Sequence, residues 1–139
     1  MKISARNQLK GTVKSITDGA VNGIVTIEIA EGKEVSATIS MSAIKELGLE
    51  KGKAAFAIIK STEMMIAEGK QKISARNQFA GKVVSVEDGV VNGIVKVEIA
   101  PGVVVSSTIS MNAIKELSLE KGKDVVAVAK ATSVMVGIE

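Results

Sequence analysis

Two arginines lie at equivalent positions of a repeated heptad, and their chemistry suits an anion. The segment Lys2–Gln8 reads Lys-Ile-Ser-Ala-Arg-Asn-Gln and returns letter for letter at Lys72–Gln78. Arg6 and Arg76 are the only arginines in the chain, which otherwise uses lysine for positive charge. A guanidinium presents a flat fork of five donors and stays protonated, so it suits an oxyanion better than a compact ammonium does. The serine and the two amides of each heptad add neutral donors, and no carboxylate is present. The heptads therefore predict an anion-binding edge.

The heptad belongs to a duplication that covers the whole chain of 139 residues. A gapless alignment of residues 2–67 with 72–137 gives roughly 41 identities in about 66 positions, which marks a structural repeat. We expect a first domain at 1–68, a short linker at 69–71 and a second domain at 72–139. Each unit is small enough for its own core to be marginal. We therefore expect the copies to pack together and the chain to form oligomers.

Each copy carries the pattern of five short strands. Val25, Ile27 and Ile29 alternate with polar residues, and this period of two indicates a half-buried strand. The run at 54–59, like its equivalent at 125–129, is apolar on both faces and must be covered on both sides. A last short strand, at 64–66 or 134–136, is expected to close its own copy.

One short helix is predicted between the third and fourth strands. The third strand presents a face made only of hydroxyls and ends at Ser40, which is typical of a helix N-cap. The helix is expected over Met41–Leu47, and Gly48 suits the left-handed position that follows it. The second copy repeats this arrangement with Ser118 in place of the glycine. The predicted fold is all-β with short helices, in the form of two tandem OB-like five-stranded β-barrels.

The composition excludes several classes of function. The chain has no cysteine and no histidine, so disulfides, thiolate metal sites and the usual nucleophile pairs are not available. We therefore expect no catalytic residues, no bare metal cation, no organic cofactor and no enzyme activity. No apolar run approaches the length of a membrane helix, and no signal peptide is recognisable, so we expect no membrane partner and a cytoplasmic location.

A nucleic-acid-binding OB module is the alternative to a protein that binds a small anion. The net charge of +3 and the OB-like pattern favour it. Phe56 and Phe79 are the only aromatic residues, however, so a platform on which bases could stack is missing. We expect a small oxyanion as the ligand and no nucleic acid.

The quoted residues resemble the molbindins, the Mop-type molybdate-binding proteins, in their tandem di-Mop form. Three features carry the resemblance in both copies: the Ser-Ala-Arg-Asn-Gln segment, the Thr-Ile-Ser strand end before the helix, and a lysine followed by Ser-Thr or Ala-Thr. The resemblance covers practically the whole chain. It implies two TOBE/Mop barrels, bound molybdate or tungstate for intracellular storage and homeostasis, and a homo-oligomer, most simply a trimer whose six barrels imitate a hexamer.

The resemblance also implies which residues contact the oxyanion. They are two equivalent sets, with Ala131 in the place of Ser61: Ser4, Ala5, Arg6, Asn7, Ser40, Lys60 and Ser61 in the first copy, and Ser74, Ala75, Arg76, Asn77, Ser110, Lys130 and Ala131 in the second. A further site on the assembly axis is implied at two turns: Ala20, Val21 and Asn22, with Val90, Val91 and Asn92.

Each of these residues also has a purely structural interpretation. Serine and asparagine often bond to nearby backbone, and an isolated arginine is often solvated. Lys60 and Lys130 could simply end a buried strand with a charge. The pair Asn22-Gly23 could be the turn of a hairpin.

Overall fold

The computed structural model describes all 139 residues and places ten strands and two α-helices in the order that the sequence predicts. Five strands and one helix between the third and fourth strands occur in each copy, which confirms the predicted fold class. The first copy contributes β1 (Asn7–Thr17), β2 (Asn22–Ala30), β3 (Lys33–Ser40), α1 (Met41–Glu46), β4 (Ala54–Ile59) and β5 (Met65–Ala67). The second contributes β6 (Asn77–Glu87), β7 (Asn92–Ala100), β8 (Val103–Ser110), α2 (Met111–Glu116), β9 (Asp124–Ala129) and β10 (Met135–Gly137).

The helix ends follow the local chemistry that the sequence indicates. The Ser40 hydroxyl oxygen accepts a hydrogen bond from the Ala43 N–H at 3.0 Å, as an N-cap does. After the helix, Gly48 has a φ of +59°. Ser118 takes the equivalent place with a φ of +49° and is the only non-glycine residue with a positive φ. The second copy therefore keeps the left-handed turn without the residue that adopts it most easily.

The closing strands are exchanged between the copies. The two antiparallel sheets have the strand orders β10-β4-β1-β2-β3 and β5-β9-β6-β7-β8. The prediction that the last strand closes its own copy is therefore wrong. The reason lies in the connection after β4, where a 3₁₀ turn at Ser61–Glu63 packs against β8 of the other copy instead of forming a tight hairpin. The chain thus reaches β9 of the other copy, and each sheet is complete only when both copies are present.

A single core of 24 buried residues spans both copies. All five residues from Val125 to Ala129 in β9 are buried, as the run without alternation predicts. In β4 the last three residues and Ala55 are buried, whereas Phe56 is half-buried and Ala54 is exposed. The shared core confirms that the copies pack together, because neither one encloses its apolar residues alone.

The two α-helices are short. Both have six residues, far fewer than the roughly 20 that a membrane-spanning helix needs.

Candidate functional site

The repeated heptad forms a loop that leads into the first strand of each copy. Gln8 fixes the first loop, because its Nε2 donates to the carbonyl oxygens of Ile3 at 3.2 Å and Ala5 at 3.0 Å. Ala5 is buried, and its flanking residues Ser4 and Arg6 are exposed. The loop is therefore held in place by the buried Ala5 and exposes Ser4 and Arg6 to solvent.

The register between β1 and β4 places this loop beside the end of the fourth strand. Asn7, the first residue of β1, pairs with Ile59, the last residue of β4. Residues just before β1 consequently lie next to residues just after β4. A cavity of about 350 Å³ opens there, lined by Ile3, Ser4, Ala5, Arg6, Lys60, Ser61, Thr62 and Met135. Residues more than fifty positions apart in the sequence thus share one site, and Met135 is supplied by the exchanged strand β10.

The second copy has the same register. Asn77 pairs with Ala129, so the loop at Ser74–Arg76 adjoins Lys130 and Ala131. Gln78 fixes this loop as Gln8 does, with its Nε2 donating to the carbonyl oxygens of Gln71 at 3.0 Å and Ala75 at 3.3 Å.

The cations of these loops have no carboxylate partner. The ion pairs of the chain involve the N-terminal amine, Lys14, Lys82 and Lys123. The pairing is visible at Lys14, where a hydrogen bond and the charge of Glu34 raise the pKa of the ammonium. No carboxylate lies within 4 Å of the guanidinium or ammonium groups of Arg6, Arg76, Lys60 and Lys130. These four exposed cations keep their full attraction for an external anion.

The two asparagines of the heptads join the copies instead of facing the cavity. Asn7 is 2% exposed, and its amide donates to the Ser106 carbonyl at 2.9 Å and accepts from the Ser106 N–H at 2.7 Å. Asn77 makes the same pair of bonds to Ser36, at 2.9 and 2.8 Å. Both amides are engaged with strand backbone of the other copy. We therefore leave Asn7 and Asn77 out of the site, although the resemblance includes them.

Hydroxyls from the other copy complete each group. The Ser61 Oγ lies 2.8 Å from the Thr108 Oγ1 of β8. Ser110 is two residues further on the same strand face, roughly 7 Å along β8. By the same symmetry the second 3₁₀ turn, at Ala131–Ser133, packs against β3, which carries Thr38 and Ser40. Ser110 therefore lies on the strand that packs against the first 3₁₀ turn, and Ser40 on the strand that packs against the second, so we group each serine with the loop of the opposite copy.

We name these two groups by the loop that each contains. The first cluster comprises Ser4, Ala5, Arg6, Lys60, Ser61, Thr108 and Ser110. The second cluster comprises Ser74, Ala75, Arg76, Lys130, Ala131, Thr38 and Ser40. The threonines were not predicted as site residues, although the hydroxyl face of the third strand was a signal that could have identified them.

The turns proposed for the assembly axis are exposed and apolar at their tips. Val21 is 74%, Val90 99% and Val91 72% exposed. Asn22 pairs with Ser40 across β2 and β3, so each turn lies beside a helix N-cap of its own copy. The hairpin interpretation of Asn22-Gly23 is wrong, since both residues lie inside β2. Gly23 packs closely under the helix, because a Cβ there would lie 2.7 Å from the Ile44 Cδ1 and would force that side chain to shift.

Neither aromatic residue offers a surface for base stacking. Phe79 is 4% exposed in the core. Phe56 is half-buried, with the Lys10 Nζ 6.0 Å from its ring centroid. The nucleic-acid alternative therefore gains nothing from the arrangement of these side chains.

Comparison with known proteins identifies relatives for the whole chain. The TOBE domain family matches residues 3–66 and 73–136. The chain is 38% identical over 141 residues to the molybdenum transport protein ModE of Herbaspirillum seropedicae, which covers 100% of this chain and 52% of that protein. A probable molybdenum-pterin-binding protein of Haemophilus influenzae is 63% identical over 68 residues, or 49% of this chain and 99% of that protein. The chain thus spans about half the length of the ModE relative and twice that of the single-copy relative.

A solved structure matches the complete fold. The crystal structure of the cytoplasmic molybdate-binding protein ModG, with molybdate bound, superposes with a TM-score of 0.96 and 35% sequence identity. The match covers 100% of both chains, so it includes the tandem arrangement of the two copies.

Proposed function

The chain belongs to the TOBE domain family, and from this premise we propose that it binds molybdate at the two clusters. Its resemblance to the molbindins is confirmed by the TOBE matches in both copies and by the full-length match to ModG. The proposal is that each chain takes up the tetrahedral dianion and releases it unchanged, as a store or buffer.

The observation that carries the proposal is the meeting of Arg6 and Lys60 in one cavity without a carboxylate. Two cations held 54 positions apart in sequence share this site with hydroxyls and with no carboxylate. Every charged group in it is a donor, and in this sense we call the site donor-only. Hydrogen bonds between such cations and an oxyanion are charge-assisted and are the strong ones in proteins. The Ser110 hydroxyl adds to this set, because it accepts from Ala113 at 3.1 Å and keeps its own O–H free to donate.

The chemistry of the clusters supports binding and no reaction. Their side chains are donors, and no pair of groups is arranged as nucleophile and base. The names of the relatives describe binding and transport, and the ModG relative is described as cytoplasmic. We extend the same role and location to this chain: intracellular storage and homeostasis of molybdate and, because of its equal charge and shape, tungstate.

The proposed functional form is a homo-oligomer, most simply a trimer that presents six barrels. Val90 and Val91 at one turn and Val21 at its equivalent leave apolar side chains in solvent, which association between copies of the chain would cover. The turns at 20–22 and 90–92 are then the candidates for a further anion site on the assembly axis. Light scattering should give three times the chain mass, and a stable monomer at micromolar concentration would contradict the trimer.

Isothermal titration of the full chain with sodium molybdate tests the function. We expect saturable binding that persists in physiological salt, because the anion is held by directed hydrogen bonds as well as by charge. A single-stranded oligonucleotide, titrated as the comparison, should give no signal or one that disappears with added salt. Tight and salt-resistant oligonucleotide binding, with no molybdate binding, would replace this proposal by the nucleic-acid alternative.

A further inference from the structure

The two clusters consist of corresponding residues, which differ in type at one position. Each contains the same loop residues, the same lysine, and a threonine and a serine from the opposite copy. Only Ser61 and Ala131 differ. Among the named residues of the two clusters, this is the one position at which the hydrogen-bonding capacity of the side chains differs.

Ser61 takes part in a contact that Ala131 cannot make. The Ser61 and Thr108 hydroxyls lie 2.8 Å apart, and within such a pair one O–H donates to the other oxygen. The second O–H remains free to donate outward, and the hydrogen bond that its oxygen accepts polarises it. In the second cluster a buried methyl group, that of Ala131, occupies the equivalent place against β3. Thr38 consequently has no hydroxyl partner there.

A second sequence difference nearby does not distinguish the clusters. Glu63 in the first 3₁₀ turn corresponds to Ser133 in the second. The Ser133 hydroxyl donates to the Glu63 Oε2 at 3.2 Å, so the carboxylate lies at the junction of the two turns. The carboxylate is also exposed, and solvent screens its charge. Glu63 does not line the first cavity, so the hydroxyl of Ser61 remains the difference between the clusters within that lining.

We infer that one chain carries two unequal oxyanion sites, and that Ser61 with Thr108 makes the first cluster the tighter one. The inference rests on the proposed function and adds that the anion fills the two sites of a chain in a fixed order. A hydrogen bond to a charged group typically contributes roughly tenfold or more in affinity. The first cluster then fills at low anion concentration and the second only when the anion is abundant.

Titration calorimetry of the full chain with sodium molybdate tests the inference. Two reciprocal substitutions, one in each cluster, are compared with the parent. The parent should show two classes of site that differ about tenfold in affinity. Ser61→Ala should remove the tighter class and leave both clusters equally weak. Ala131→Ser should instead raise the weaker class toward the tighter one, since Thr38 is already in place to pair with a hydroxyl. Ser85→Ala, an exposed serine on β6 away from both clusters, is the matched control and should behave as the parent does.

Two further variants assign the classes to their clusters. Arg6→Ala should abolish the tighter class, and Arg76→Ala should abolish the weaker one. Thermal melting of every variant checks that the fold is retained. Equal affinities in the parent, or a tighter class that survives Ser61→Ala, would overturn the inference while the proposed function stands. A parent that takes up no molybdate at millimolar concentration would overturn both.

Discussion

The side-chain amide of Asn7 pairs with both backbone groups of Ser106, 99 residues away in the other copy. The amide thus pairs with Ser106 as the backbone of a neighbouring strand would, since it offers one donor and one acceptor. Asn77 and Ser36 repeat the arrangement. These two contacts hold the residue that follows each heptad arginine to a strand of the opposite copy.

Replacement of Asn7 by alanine should therefore destabilise the chain. The change leaves the N–H and C=O of Ser106 without partners in a half-buried place, and an unsatisfied buried polar group costs about 1–3 kcal/mol. We expect the free energy of unfolding in urea to fall by about 2 kcal/mol or more. Asn112→Ala, at an exposed position of α2, is the control and should change it by less than about 0.5 kcal/mol. Equal effects of the two substitutions would show that the Asn7 contact contributes nothing.

Conversion of both loop arginines to lysine should weaken molybdate binding although the charge is kept. Lysine lacks the planar fork, so bidentate contact with two oxyanion oxygens is lost. We expect at least a tenfold increase in the dissociation constant, measured by calorimetry, for the double variant Arg6→Lys with Arg76→Lys. The double variant Lys51→Ala with Lys121→Ala removes two exposed, unpaired lysines from equivalent turns and should bind nearly as the parent does. If the arginine variant also bound as the parent does, Arg6 and Arg76 would have a structural role only.

The donor-only character of the clusters predicts their selectivity among oxyanions. Molybdate and tungstate are fully deprotonated tetrahedral dianions at neutral pH, whereas phosphate is partly protonated and would present a donor to donors. That mismatch costs on the order of 1–3 kcal/mol, or about ten- to a hundredfold in affinity. Sulfate has the right charge but is smaller, so its hydrogen bonds would be stretched. In competition calorimetry at pH 7.5 tungstate should displace molybdate readily, sulfate less and phosphate least. Displacement by millimolar phosphate as effective as by tungstate would contradict a donor-only site.

The exchanged strands predict that the two copies stay together when the chain between them is cut. β5 completes the sheet of the second copy and β10 that of the first, and one core spans both. A protease site placed in the exposed segment 69–71 should be cleaved without separation of the halves in size-exclusion chromatography under native conditions. Halves that separate and remain folded would mean that each copy can close its own sheet.

Ser118 predicts a stabilising substitution. A side chain in the left-handed region is strained, and glycine relieves that strain at some cost in chain entropy. Ser118→Gly should raise the free energy of unfolding by about 0.5–1 kcal/mol. The reverse change in the other copy, Gly48→Ser, should lower it by a similar amount, and denaturant unfolding of both variants measures the pair. Opposite signs from those expected would mean that neighbouring contacts, not φ, determine the preference at this position.

Local chemistry in the sequence determined most of the fold. The alternation at 25–29, the N-caps at Ser40 and Ser110, and the run without alternation at 125–129 each specify a structure within a few residues. The sequence also revealed the duplication, because residues 2–67 and 72–137 align without gaps and share most of their residues. The heptads likewise identified Arg6 and Arg76, since their rarity and repetition are properties of the sequence.

Only the tertiary structure decided which copy completes which site. From the sequence we grouped Ser40 with the first loop and Ser110 with the second. We also predicted that the last strand of each copy pairs within that copy. A repeated sequence presents the same strand edges twice, so its pattern fits pairing within a copy and between copies equally well. The packing of each 3₁₀ turn against the opposite copy selects exchange. That choice brings Thr108 to Ser61, engages Asn7 with Ser106, and makes each cluster a product of both halves of the chain.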